Sequence, residues 1–248
     1  MRTMPVPSDD PARTRSSQDA GAASPLIVTI DGPAGTGKST VAQRVAERLG
    51  LMVLDTGAMY RAAALLAIRL EIDPSDGPAI AKAIETHVME VDFTADPPSL
   101  QLDGADPGEE LRSREVEAIV SIVAAQPEVR RRLVAVQRAI AASHPHLVTE
   151  GRDQGSVVFP DAQARFYLTA SSAIRAKRRV DQLRRKGQSP DPVEIREGIE
   201  ARDRLDAGRS DAPLTRPVGA IEIDTDELGF DEVVDRMIES IPAPGERA

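Results

Sequence analysis

Five short runs rich in apolar and β-branched residues are spread along the chain: Leu26–Ile30, Met52–Leu54, Leu147–Thr149, Arg165–Thr169 and Ile221–Asp224. The first reads LIVTI without regular apolar–polar alternation, the pattern of a strand buried on both faces. Between the runs the spacing turns helical. Val41, Val45 and Leu49 recur every fourth residue and stop at Gly50, which predicts an amphipathic helix ended by a glycine. Strands separated by helices predict an α/β fold on a doubly wound five-stranded parallel sheet. Ligands in such sheets gather beyond the carboxyl ends of the strands.

The interval between the second and third runs is long. It holds helical sequence over Tyr60–Leu70 and Ala79–Thr86, then HVMEVDF and LQLDG flanking Ala95-Asp96-Pro97-Pro98, which predicts a small hairpin. One helical stretch, Glu115 to Ala142, follows. The segment from about Ile72 to about Arg112 is expected to be an inserted subdomain of a domain spanning 25–241. Residues 1–24 are rich in Pro, Ser, Ala and charge and are expected to be a disordered tail. DEVVDRMIESI predicts an amphipathic helix, and residues 242–248 a frayed end.

Composition narrows the function. Of 248 residues 41% are hydrophobic, enough for a core, yet two Tyr, four Phe and no Trp make that core aliphatic. So few aromatics, with a formal net charge of −9, argue against a nucleic-acid partner. The absence of Cys excludes disulfides and thiolate metal sites, and His87, His144 and His146 make no convincing ligand set. No run reaches membrane-spanning length and no apolar leader opens the chain, so a cytoplasmic protein without membrane partners is expected. The core is large enough to stand alone as a monomer.

The chemistry sits at the strand ends. Gly32-Pro33-Ala34-Gly35-Thr36-Gly37-Lys38-Ser39 fills G-x-x-x-x-G-K-[ST] between the first strand and its helix, the setting of a phosphate-binding loop. Backbone N–H groups and the helix N-terminus can cradle phosphates, Lys38 can reach the β- and γ-phosphates, and Ser39 can hold Mg²⁺. Asp55-Thr56-Gly57-Ala58-Met59-Tyr60-Arg61 follows the second strand, and Glu150-Gly151-Arg152-Asp153-Gln154-Gly155 the third. Arg202, Asp206 and Arg209 are spaced to share one helix face. Each of these is weak alone, since a capped turn, a structural ion pair or a solvated charge run would look the same.

In order, GPAGTGKST, DTGAMYR, SIVAAQPEVR, EGRDQGSVVFPDA and RDRLDAGRSDAPL together resemble the bacterial cytidylate kinases, from Ile27 to Ile241. The resemblance implies a P-loop NTPase-type fold with the insertion as an NMP-binding subdomain and a short lid at about 171–187. It implies transfer of the ATP γ-phosphate to CMP or dCMP with Mg²⁺. Gly32, Pro33, Ala34, Gly35, Thr36, Gly37, Lys38, Ser39 and Thr40 would hold ATP. Ser121, Arg130 and Asp153 would contact cytosine, and Arg202 and Asp206 the sugar. Arg61, Arg152 and Arg209 would clamp the monophosphate, with Thr56 and Tyr60 also at the CMP site. Lys38, Arg152, Arg175, Arg178 and Arg209 would act on the transferring group. The lid would carry Arg175, Arg178 and Arg179. Many relatives have Ser where this chain has Ala207.

The residue types suit that reaction. A nucleoside monophosphate is already largely dianionic at pH 7, its second pKa lying near about 6, so it needs positioning and charge neutralisation rather than a general base. A kinase for a neutral hydroxyl would want a carboxylate beside it, a role open to Asp31 or Asp55. The phosphate-facing arginines argue instead for an acceptor that already carries a phosphate. A guanine-reading N-K-x-D motif, expected of a GTPase switch, is absent.

Overall fold

The computed structural model describes residues 25–209 and 212–243; the expected N-terminal tail and residues 244–248 lie outside it. In chain order the elements are β1 (Leu26–Asp31), α1 (Lys38–Leu49), β2 (Met52–Asp55), α2 (Thr56–Arg69), α3 (Gly77–Thr86), β3 (Met89–Asp92), β4 (Ser99–Leu102), α4 (Arg114–Ala125), α5 (Pro127–Ser143), β5 (His146–Gly151), β6 (Ala164–Thr169), α6 (Ser172–Arg185), α7 (Pro192–Ala207), β7 (Ile221–Asp224) and α8 (Phe230–Glu239). The five runs expected to be strands form one parallel sheet in the order β2-β5-β1-β6-β7. The antiparallel hairpin β3-β4 stands apart, Met89 facing Leu102.

The sheet is covered on both faces, and its central strands β1 and β5 are almost wholly buried. On one side Val28, Ile30, Val148, Phe166 and Leu168 pack against Val41 and Val45 of α1 and Val234 and Met237 of α8. On the other, Leu54 and Leu147 meet Met59 and Leu66 of α2, Val120 of α4 and Leu133 of α5. Ala62, Ala63, Ala64 and Ala67 of α2 are all fully buried, and side chains this small let the helix lie close to its neighbours. The inserted segment makes no core of its own. Ile80, Ile84, Met89, Leu100 and Leu102 join the cluster that contains α2, α4 and α5.

The helix expected from Glu115 to Ala142 is two helices. Gln126, at φ −74° and ψ 120°, ends α4, and Pro127 begins α5. Proline has no N–H to give and drives its predecessor out of helical geometry, yet it fits the first turn of a new helix. The apolar stripe continues through the break, so periodicity alone ran the two together. The bend brings Ser121 of α4 and Arg130 of α5 to the same cleft.

Two glycines make opposite demands. A Cβ on Gly32, at φ +146°, would lie 2.2 Å from the Leu168 carbonyl oxygen, whereas Gly50, at φ +65°, faces open space. Gly32→Ala should therefore cost about 3 kcal/mol or more, as a core overpacked against backbone, and Gly50→Ala only about 1 kcal/mol of left-handed strain. Urea unfolding of the two variants checks the contrast, and equal losses would contradict it.

Candidate active site

The carboxyl ends of β1, β2 and β5 lie side by side, Asp31 level with Gly151 and Asp55 level with Glu150. A cleft opens there. Lining it are Ala34, Gly35, Lys38 and Ser39 from the phosphate-binding loop, Thr56, Tyr60 and Arg61 from α2, Ser121 from α4 and Arg130 from α5. Glu150, Arg152 and Asp153 follow from the end of β5, with Arg202 and Asp206 from α7 and Arg209 just beyond it. All the residues expected at the CMP site thus share one cleft with the loop. Gly32, Pro33, Thr36, Gly37 and Thr40 shape or flank the loop without lining the cleft.

In the loop Lys38 Nζ bends back to donate to the Pro33 carbonyl at 2.8 Å, and Thr36 Oγ1 donates to the same oxygen at 3.1 Å. The first turn of α1 has no acidic side chain, so its N-terminal N–H groups and dipole remain available to an anion. Ser39 Oγ donates to Glu150 Oε1 at 2.6 Å. Burial raises the Glu150 pKa and the nearby Asp55 carboxylate adds to it, while Lys38 opposes both. Burial likewise pushes the Lys38 ammonium below its ordinary value, reinforced by Arg152 and opposed by Glu150 and Asp31.

Five arginines and three carboxylates line the cleft. Asp206, 1% exposed, accepts from Arg152 Nε at 2.9 Å and is also bound by Arg209 Nη2. Burial alone would raise its pKa, but the two guanidiniums outweigh that and hold it down. Arg202 is pushed down to about 10, by burial first and then by Arg152. Asp55 caps α2 through the Ala58 N–H at 2.9 Å and holds Arg61 Nη2 at 3.0 Å. The Nε atoms of Arg61, Arg202 and Arg209 are buried with no hydrogen-bond partner. A buried donor left unmatched is costly, and here three of them stand on cations around one space. That is the donor set a phosphate oxygen would satisfy. At the far wall Arg130 Nη2 donates to Asp153 Oδ2, both side chains being 3% exposed.

The three lid arginines do not line the cleft. Arg175 binds the Ala34 carbonyl at 3.0 Å and forms a two-pronged pair with Asp203, at 3.1 and 2.6 Å. Arg178 is turned to Thr225, and Arg179 to Glu117 of α4. Glu150, Asp55 and Asp31 were not among the expected site residues, although each ends an apolar run whose carboxyl end was expected to face ligand.

The family model described as cytidylate kinase matches residues 28–243. The chain is 45% identical over 213 residues to the cytidylate kinase of Nocardia farcinica, covering 86% of this chain and 92% of that one. It is 46% identical over 218 residues to that of Caldanaerobacter subterraneus, covering 86% and 93%. With that of Corynebacterium diphtheriae the identity is 45% over 224 residues, covering 90% and 96%.

A triphosphate seated in the loop would favour the charged form of Lys38, raising its depressed pKa. Binding measured at pH 8, where the nucleotide's phosphates have essentially no proton left to give, should therefore take up protons. Calorimetric enthalpies in two buffers of different ionisation heat should diverge in that sense. Agreement between the buffers would mean Lys38 is already fully charged.

Proposed function

The chain belongs to the cytidylate kinase family, and from that premise we propose how its own residues bring the two substrates together. The enzyme transfers the γ-phosphate of ATP to CMP or dCMP, giving ADP and CDP or dCDP. The observation that supports the residue assignment best is the partly buried group Arg61, Arg152, Arg202 and Arg209, with unmatched Nε donors on Arg61, Arg202 and Arg209, beside the phosphate-binding loop.

ATP takes the loop from Gly32 to Thr40, its phosphates against Lys38 and the N-terminus of α1. The acceptor phosphate takes Arg61, Arg152 and Arg209, held at fixed spacing by Asp55 and Asp206. Two anions that repel each other in water are thereby placed together in a site of opposite charge, and positioning with electrostatic stabilisation is most of what phosphoryl transfer needs. Arg202 and Asp206, on the same face of α7 at the cleft, take the sugar. No side chain is required to remove a proton from the dianionic acceptor.

Ser39 Oγ and the Glu150 carboxylate, 2.6 Å apart at the mouth of the loop, are oxygen donors of the kind a hard divalent cation prefers. They would hold the Mg²⁺ that accompanies ATP. When bound, that ion neutralises phosphate charge as it develops. Among the described residues no group of three or more His, Cys, Asp and Glu could hold a metal.

Asp153 and Arg130 set a negative and a positive group side by side. Cytosine presents a matching edge, its exocyclic amine donating and its N3 and O2 accepting, with Ser121 as a further donor. Uracil would turn a carbonyl oxygen toward Asp153. The reading is of a monomer in the cytoplasm that acts on free nucleotides, in keeping with the chain's net charge of −9. Among the described residues no helix is long and apolar enough to cross a membrane.

Coupled ADP production with CMP, dCMP, UMP and AMP tests the assignment. CMP should exceed UMP in kcat/KM by about tenfold or more, the scale of a buried mispairing of about 1–3 kcal/mol. Asp153→Asn should erode that ratio by a similar factor. An unchanged ratio would leave Asp153 as a support for Arg130 and not a reader of the base.

A further inference from the structure

Asp31 closes β1, immediately before the phosphate-binding loop, and is fully buried. Its two carboxylate oxygens are both engaged by backbone. Oδ1 accepts the Gln154 N–H at 2.7 Å and Oδ2 accepts the Gly155 N–H at 2.7 Å. Those amides belong to the two residues directly after Arg152 and Asp153, where the chain leaves β5 and enters a π-helical turn over Gln154–Val158. The Gln154 side chain is fixed as well: its Oε1 accepts from Thr149 Oγ1 at 2.8 Å, and its Nε2 donates to Gln137 at 3.3 Å. Gly155 lies so close to the sheet that a Cβ there would sit 2.8 Å from Thr29 Oγ1.

A carboxylate at this position is expensive. Burial pushes the Asp31 pKa up to about 7; the two backbone N–H bonds offset part of that effect, Asp153 adds to it, and Lys38 opposes it. A position that served packing alone would hold an apolar side chain. What only a carboxylate supplies is two acceptors aimed at two adjacent N–H groups; an asparagine would turn an NH₂ toward one of them.

We propose that Asp31 is a positioning residue for the acceptor site, its two oxygens fixing the backbone of residues 152–155 and through it the placing of Arg152 and Asp153. This rests on the reading that Arg152 and Asp153 meet the acceptor. Asp31 touches neither substrate. It ties the strand that carries the ATP loop to the segment that reads CMP, so one buried group sets the relative position of both.

Asp31→Asn is the test variant. Burial already disfavours the charged form here, so a neutral side chain suits the position's surroundings. With the full-length enzyme at pH 8, KM for CMP should rise about tenfold and the CMP/UMP ratio of kcat/KM should fall about tenfold. Affinity for a non-hydrolysable ATP analogue should change less than about threefold. A residue that only stabilised the fold would lower the melting temperature and leave both acceptor parameters alone; that outcome overturns the proposal.

A measurement on the unaltered enzyme serves if the variant does not fold. The CMP/UMP ratio cancels the titration of the acceptor phosphate, so it should fall between pH 8 and pH 6 as Asp31 takes up a proton. The ionisable groups that face Asp31 are Lys38 from α1, Asp153 from the following loop and Tyr167 from β6. A ratio constant over that range overturns the proposal. If Asp153→Asn lowers the ratio and Asp31→Asn does not, the proposal fails while the reading of the acceptor site stands. If neither variant moves it, that reading fails first.

Discussion

Five guanidiniums can share one buried cleft only if carboxylates stand between them. Asp206 does most of this, 1% exposed and bound by both Arg152 and Arg209. Asp55 does it for Arg61, and Asp153 for Arg130. Removing one such carboxylate would leave a desolvated cation behind, a loss of about 3–5 kcal/mol in comparable buried pairs. The balance is incomplete by construction. Arg202 is pushed down to about 10 and three Nε donors are unmatched, so the free enzyme holds positive charge under electrostatic strain. A dianionic group entering the cleft would relieve that strain.

The fold makes the cluster possible by where it ends its strands. A parallel sheet covered on both faces leaves polar residues almost no place except the strand ends. Asp31, Asp55 and Glu150 occupy those ends in adjacent strands; Asp31 and Asp55 accept from backbone N–H groups there and Glu150 accepts from the Ser39 hydroxyl. The alanine-rich α2 then lies close enough for Arg61 to reach in, and the break at Pro127 splits one amphipathic stretch so that Ser121 and Arg130 approach from two directions.

Legibility in the sequence followed locality. The first strand was readable as a continuous apolar run and the others as short apolar and β-branched runs between helical stretches, and the phosphate-binding loop because its eight consecutive residues carry their own geometry. The residues gathered in the cleft were readable as motifs only, since no spacing rule links Arg61 to Arg152 or Asp206. What escaped was pairing across the chain. Asp31 and Gln154 are far apart in sequence, as are Ser39 and Glu150, and nothing in the sequence near Arg178 announces that Thr225 will hold its guanidinium. The helix break escaped for a different reason. Proline at the first helical turn is a start signal, but the apolar stripe that runs on through Gln126 and Pro127 is the stronger pattern.

The pairing of Arg175 links the two substrate sites from the other side. Its guanidinium holds the Ala34 carbonyl of the loop and both oxygens of Asp203, one residue beyond Arg202 on α7. The phosphate-binding loop and the helix that carries Arg202 and Asp206 are therefore joined through a single side chain that is 6% exposed. A guanidinium so enclosed cannot lose Asp203 without standing desolvated against a carbonyl, so α7 and the loop are constrained to move together. Asp31 ties the loop's strand to the segment that follows Arg152 and Asp153 in the same way. The phosphate-binding loop and the arginine-lined wall of the cleft are thus tied together by two carboxylates, Asp31 fully buried and Asp203 partly exposed, neither of which lines the cleft.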